Sequence, residues 1–256
     1  MSETLFKQQT DGTIKHEKEI NDLNTLSHAK ACLVVEPEMR LSTTDYNSFE
    51  KDGQQALTVF EQVIQLLSKR GAKVLHAFAG SGTVLDLMSD TLEREAYGIE
   101  PNKEKVKQYE SRCEQDMFMQ EARPCACCEI KDYTSDEKFD LIIMSPPILL
   151  PREKSSKRLA DKDFNEYTEE YAANVKHLSS MLSENGFLVT ITQDFYAAKT
   201  YYNTLSKIQN LVQEELQLRG MKIFPKPIPY EKKQFLTDYV PLMNYCVAGI
   251  FSNLTN

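Results

Sequence analysis

Between residues 73 and 100 the chain runs strand, glycine turn, helix, strand and acid, and that order leaves few folds open. Lys73 to Phe78 (KVLHAF) reads as a buried strand, Ala79-Gly80-Ser81-Gly82-Thr83 as a turn, Thr83 to Leu92 as a helix and Ala96 to Glu100 (AYGIE) as a second strand. Glycine at 80 and 82 lets the backbone turn tightly and approach a ligand with no Cβ in the way, and the helix that follows offers free N–H groups. Glu100, closing the second strand, stands where a carboxylate can accept both hydroxyls of a ribose. The chain has nine glycines, and three of them fall in this one unit, so their placement carries weight. A Walker phosphate loop is excluded because no Gly-Lys-Ser/Thr follows at the required spacing, and the longer G-x-G-x-x-G of nicotinamide sites is absent. The competing reading is a tight turn followed by a solvated glutamate.

The alternation continues in both directions. Upstream, Leu57, Phe60, Val63, Ile64 and Leu67 recur at helical spacing, and Lys69-Arg70-Gly71 supplies a cationic last turn and a glycine stop. Downstream, residues 102 to 115 read as a helix, and Cys125 to Ile130 and Phe139 to Met144 as strands. Phe164, Tyr167, Tyr171, Val175, Leu178 and Leu182 line a long helix ended by Asn185-Gly186, ahead of a strand Phe187 to Thr192. A further helix is predicted from about Thr200 to Arg219, closed by Gly220, then strands Met221 to Phe224 and Asn244 to Phe251. Ala31 to Val35 is a possible short strand in the otherwise polar stretch 1–50, which reads as an arm or extension; residues 51–256 read as the ordered domain. Short connections between alternating strands and helices imply an α/β fold, a mostly parallel seven-stranded Rossmann-like sheet with helices on both faces. Such sheets take ligands beyond the carboxyl ends of their strands.

Composition narrows the partners. A formal net charge of −8 disfavours holding a polyanion by bulk charge, which needs clustered Lys and Arg. No apolar run is long enough for a membrane span, and the first residues lack a signal-peptide core, so a cytoplasmic or otherwise intracellular protein without membrane attachment is expected. Cys32, Cys113, Cys125, Cys127, Cys128 and Cys246 then read as reduced thiols. Cys125-Ala126-Cys127-Cys128 suggests zinc only weakly, since no second Cys/His pair sits at finger spacing; no metal is expected.

A second motif stands at the end of the fourth strand of the domain: Asp140-Leu141-Ile142-Ile143-Met144-Ser145-Pro146-Pro147. Two prolines lock the backbone extended and remove two donors, so the segment presents carbonyl acceptors and the Ser145 hydroxyl in a fixed direction. That suits gripping an exocyclic amino group. Taken together, FAGSGT (Phe78 to Thr83), GIE (Gly98 to Glu100), KDY (Lys131 to Tyr133) and DLIIMSPP (Asp140 to Pro147) resemble the S-adenosylmethionine-dependent amino-methyltransferases of DNA, the adenine-N6 and cytosine-N4 enzymes. The resemblance spans roughly residues 54 to 251, and Ser145 in first position is most similar to the cytosine-N4 type. RNA and protein-glutamine methyltransferases share the motif order. The resemblance implies that Phe78, Ala79, Gly80 and Gly82 cradle the methionine portion of S-adenosylmethionine, that Glu100 holds its ribose, and that Asp132 accepts from its adenine amino group. It also implies that the catalytic segment Ser145, Pro146 and Pro147 holds the target amine for in-line methyl transfer. A target base within duplex DNA, or RNA as the other nucleic acid to consider, would first flip out of its stack.

Two positions depart from that pattern. His76 stands where the family carries an Asp facing the cofactor's amino group, and as a neutral imidazole it would still be an acceptor there. Ile148 replaces the aromatic residue that stacks on the extruded base, a contact commonly contributing about 1–3 kcal/mol. Phe195 or Tyr196 is a candidate substitute, with ordinary packing as the other reading. The family resembled usually carries a sizeable target-recognition insertion, but only about sixteen residues separate Pro147 from Phe164, so either recognition is minimal or it comes from the N-terminal arm or a second subunit. Arg152, Lys154, Lys157, Arg158 and Lys162, and the later group Arg219, Lys222, Lys226, Lys232 and Lys233, read equally well as phosphate contacts or solvated loops. The alternative to an enzyme is a catalytically silent subunit of the same fold that binds or regulates a partner.

Overall fold

A computed structural model describes residues 33–34, 57–115, 123–147, 163–197, 200–225 and 245–254. In chain order the elements are β1 (Leu33–Val34), α1 (Leu57–Leu67), β2 (Lys73–Ala77), α2 (Thr83–Asp86) running into a π-helical turn (Leu87–Thr91), β3 (Glu95–Ile99), α3 (Lys103–Gln115), β4 (Cys125–Ala126) and a 3-10 turn (Ile130–Asp132). There follow β5 (Phe139–Met144), α4 (Phe164–Ser179), β6 (Leu182–Thr192), the hairpin β7 (Phe195–Ala197) and β8 (Thr200–Tyr202), α5 (Thr204–Val212), β9 (Leu216–Pro225) and β10 (Tyr245–Asn253).

Seven strands lie in the order β4-β3-β2-β5-β6-β10-β9, and β1 adds a short parallel eighth at the β9 edge, pairing Leu33 with Lys222 and Val34 with Ile223. From β4 to β6 the neighbours are parallel; β10 runs antiparallel between β6 and β9. Strand periodicity explains the two-sided core. Along β5, Leu141 and Ile143 join Phe60, Val63 and Ile64 of α1, Leu85 of α2 and Tyr109 of α3, whereas Ile142 and Met144 join Tyr171, Val175 and Leu178 of α4 and Ile208 and Val212 of α5. A sheet covered on both faces needs continuously apolar strands, and FDLIIM supplies one.

Four expectations shift. The long helix stops at Ser179 rather than at Asn185-Gly186, because β6 begins at Leu182. Leu182 pairs with Phe139 and Phe187 with Leu141, so residues 183–186 loop out opposite Asp140, where a Cβ on Gly186 would lie 2.7 Å from the Phe139 carbonyl oxygen. The helix predicted to Arg219 ends at Val212. Gly220 lies inside β9, and Arg219 is the extra residue of a bulge between the pairs Leu218–Phe251 and Gly220–Ile250. The helix after the glycine turn is α-helical for only Thr83–Asp86 before widening. The strand predicted to Ile130 is two residues long, and Ile130 instead starts the 3-10 turn that plugs the core beneath α4. Among the described residues no helix is long and apolar enough to cross a membrane, and no three His, Cys, Asp or Glu side chains are grouped to hold a metal.

The buried Tyr171 hydroxyl donates to the Met144 carbonyl at 2.9 Å and lies 3.4 Å from that of Ile191, so one side chain of α4 braces the ends of β5 and β6. Tyr171→Phe is expected to lower stability by about 1–2 kcal/mol, since it leaves buried carbonyl groups less well satisfied. Urea unfolding reads this as a lower midpoint at unchanged slope; an unmoved midpoint would dismiss the brace.

Candidate functional site

The sequence motifs converge at the carboxyl ends of β3, β2 and β5, which are adjacent in the sheet. Ala77 and Met144 are register partners at the ends of β2 and β5, and the Ser145 N–H reaches the Ala77 carbonyl at 3.4 Å, so the Ser-Pro-Pro segment leaves the sheet beside the glycine turn. On the other side Ala77 pairs with Ile99, one residue before Glu100. Three elements therefore present their last residues within two strand spacings, or roughly 10 Å.

The turn takes a left-handed backbone at every second residue, with φ of 65° at Phe78, 62° at Gly80 and 80° at Gly82. Glycine tolerates this conformation; phenylalanine does so at a cost of roughly 1–2 kcal/mol. Phe78 is accordingly held by packing against the α4-side core, while Ala79 donates its N–H to the Ile99 carbonyl at 2.9 Å. At Gly82 a Cβ would fall inside the ring of buried Tyr109 on α3, whose hydroxyl accepts from the Arg123 N–H at 3.0 Å. Gly98 admits the Leu85 side chain and Ala79 by the same logic.

Glu100 is buried, and its carboxylate is the keystone of the turn. One oxygen accepts the Gly80 N–H at 2.8 Å and the other the Asn102 N–H at 2.9 Å. These bonds replace the water lost on burial. A carboxylate offers about four lone-pair positions, so two remain for hydroxyls of a ligand against the turn. Asp132 is exposed at the end of its 3-10 turn beyond β4. Of the adjacent thiols, Cys125 is pushed up to about 12 by burial and by the Glu100 charge, which makes it an inert thiol.

His76, foreseen as a cofactor contact, is buried on the α1 side of β2, its ring in a T-shaped pair with that of Phe60 at 5.1 Å between centroids. Its Nε2 lies 2.7 Å from the Ser145 Oγ, and its Nδ1 has no hydrogen-bond partner among the described residues. Burial lowers its pKa to about 3, so the imidazole is neutral. Ser145 is half-buried, Pro146 buried and Pro147 exposed, with the Pro147 carbonyl 3.4 Å from the hydroxyl of Tyr167, one turn before Tyr171 on α4.

The sequence reading missed this support: Phe60 on His76, Tyr109 beneath Gly82, and the Tyr167 and Tyr171 hydroxyls behind Ser-Pro-Pro. Tyr167 and Tyr171 were legible as core, and the remaining signal was that a buried tyrosine hydroxyl needs an acceptor. It also missed Asp194, a buried carboxylate past β6 that accepts from the Tyr201 hydroxyl at 2.6 Å and the Thr204 N–H at 2.8 Å. The β7–β8 hairpin pairs Phe195 with Tyr202 and Tyr196 with Tyr201, and the Tyr202 ring packs on Phe164 at 4.8 Å. Ile148, Arg152, Lys154, Lys157, Arg158, Lys162, Lys226, Lys232 and Lys233 lie outside the described residues. Arg219 and Lys222 belong to β9, where Arg219 donates to the Ser252 hydroxyl at 2.8 Å and the Lys222 ammonium lies over the Phe224 ring.

No protein-family model matches the chain, and no curated protein matches it by sequence. Solved structures do. N-methyltransferase NodS from Bradyrhizobium japonicum, in complex with S-adenosyl-L-homocysteine, aligns at a TM-score of 0.54 and 13% identity over 82% of this chain and 99% of that one. TrmN from Thermus thermophilus aligns at 0.53 and 13% identity over 78% of this chain, which spans about half (49%) of that protein. A putative methyltransferase from Thermoplasma acidophilum aligns at 0.50 and 12% identity, covering 80% and 77% of the two chains. The chain has the Rossmann-like methyltransferase fold.

Two outcomes follow from the site. Between pH 6.5 and about 3 the unfolded chain binds a proton at His76 that the folded chain excludes, so stability falls as the pH drops through that window. The slope attributable to His76 approaches about 1.4 kcal/mol per pH unit at its steepest. Comparing urea midpoints of the protein and its His76→Phe variant from pH 7 to 4 should show a shallower dependence in the variant; parallel curves would refute it. Gly82→Ala should cost about 2–3 kcal/mol, because the new Cβ displaces Tyr109 and the backbone stays left-handed. A melting temperature within a degree of the parent's would show that α3 yields freely.

Proposed function

We propose that the chain transfers a methyl group from S-adenosylmethionine to an exocyclic amino group of a nucleic-acid base, with DNA as the favoured substrate. The observation that carries this reading is the meeting of a glycine turn clamped by Glu100 with Ser145-Pro146-Pro147 at adjacent strand ends. The turn fits the cofactor's methionine portion, since Gly80 and Gly82 leave its wall without side chains, and Glu100 keeps two acceptor positions for ribose hydroxyls. Asp132 is the acceptor available to the adenine amino group. When bound, S-adenosylmethionine supplies a methyl group activated by its sulfonium. Ser145 Oγ and the Pro146 carbonyl accept the two amino hydrogens of the target, leaving its lone pair for the methyl carbon. The N–C bond forms as the C–S bond breaks, and the substituted nitrogen releases its extra proton to solvent. Most of the acceleration comes from alignment, because both reactants are held in one crevice.

The mild acidity of the chain argues that a second subunit or a weakly held substrate completes recognition. One observation favours the silent-subunit reading: the position expected to face the cofactor's ammonium is a neutral imidazole turned to Ser145.

Titration calorimetry with S-adenosylhomocysteine separates these readings, and measurable heat is expected. Its absence would sink the enzyme reading for this chain. Tritiated methyl transfer to DNA, RNA and protein then chooses the substrate, and Ser145→Ala should lower transfer by about ten- to a hundredfold with cofactor affinity unchanged. Equal loss of both would instead assign Ser145 to the cofactor.

A further inference from the structure

We propose that His76 is a positioning residue whose Nε2 accepts the Ser145 hydroxyl hydrogen, so that Ser145 turns only oxygen lone pairs to the crevice and selects a target bearing N–H hydrogens. This deepens the amino-transfer reading and rests on it. His76 lies in β2 and Ser145 just past the neighbouring β5, with Nε2 and Oγ 2.7 Å apart. A neutral imidazole has one donor and one acceptor nitrogen, so the pair exists in one of two forms. If Nε2 carried the hydrogen, it would donate to Oγ, and the serine hydrogen would be free to swing into the crevice. There it would bind the lone pair of an incoming amine, the electrons that must form the new N–C bond. With the hydrogen on Nδ1 instead, the serine hydrogen is drawn back into the sheet and the amine's lone pair stays free. Nδ1 has no hydrogen-bond partner among the described residues, and the His76 and Phe60 rings form a T-shaped pair. This form therefore carries the cost of one unpaired N–H, against which the Ser145 bond to Nε2 must hold it.

The same burial excludes a proton-relay role. A ring whose charged form is this disfavoured is a poor base near neutrality. Because the imidazole stays neutral throughout the working range, the direction of the Ser145 hydroxyl does not change with pH. An aspartate at position 76 would fall short of the Ser145 hydroxyl and would place a negative charge in an apolar pocket, which penalises it.

The test uses the full chain labelled with 15N-histidine. Long-range proton–nitrogen correlation spectra resolve the tautomers of four histidines, and the signal lost in His76→Phe assigns the one of interest. At pH 7 and at pH 5 the expected result is a neutral ring protonated on Nδ1. A ring protonated on Nε2 overturns the proposal whether or not the chain transfers methyl groups. In transfer assays with S-adenosylmethionine and the accepted substrate, His76→Phe should lower kcat about tenfold with the cofactor KM unchanged. His76→Gln, whose amide reaches as far as Nε2, should recover part of the loss, and His76→Asn, which is shorter, should not. In a Ser145→Ala background His76→Phe should change nothing further; full additivity would give His76 a role independent of Ser145. Nδ1 protonation in a chain that neither binds the cofactor nor transfers methyl groups would overturn the functional reading, and with it the amine selection, but not the hydrogen bond.

Discussion

The constraint on which everything else depends is that β2 has a parallel partner on each side while both faces of the sheet are buried. Its residues must alternate between two cores, and Val74 and Leu75, both fully buried, do so. Neither face can accept a large polar group without an internal partner. Polar chemistry is therefore confined to the strand ends, where the chain leaves the sheet and backbone groups come free. The glycine turn, Glu100 and Ser145 all occupy that boundary. His76 is the exception, one residue inside the strand, and it is tolerated because Ser145, just past the neighbouring strand, supplies its partner.

Strain and support are balanced within the turn. Phe78 sits in a backbone conformation it resists, Glu100 spends hydrogen-bonding capacity on Gly80 and Asn102, and Gly82 gives up a side chain to Tyr109. Each feature is unfavourable or neutral alone. Together they leave a wall of backbone with a carboxylate beside it, held by α3 and β3 rather than by the turn's own residues. A surface that must meet a ligand closely benefits from being shaped before the ligand arrives.

How far the sequence was legible depended on whether a signal was local. Phe139–Met144 was read at its observed bounds because a buried parallel strand is a continuous apolar run. The glycine turn and Ser-Pro-Pro were found because their chemistry is written in consecutive residues. What escaped was set by pairing at a distance. Leu205, Ile208, Val212 and Leu216 keep helical spacing, so nothing local marks Val212 as a helix end; β10, some thirty residues on, makes Leu216 a strand residue. The Asn185-Gly186 pair looks like a helix stop, but it is an excursion within β6 opposite Asp140, where Ser183 and the Lys73 N–H bind the Asp140 carboxylate. Likewise His76 and Ser145 are 69 positions apart, and only the register of β2 on β5 makes them neighbours.

The position of β10 bears on how the protein is made. The last described strand in sequence lies inside the sheet, with β6 on one side and β9 on the other. Until residues 245–253 are made, the β6 edge has no partner on that side and β9 has no link to the rest of the sheet. The parallel half that carries the site, from β4 to β6, needs none of those residues for its own hydrogen bonds. Synthesis therefore delivers the half that carries the candidate site before the strand that joins β9 to it.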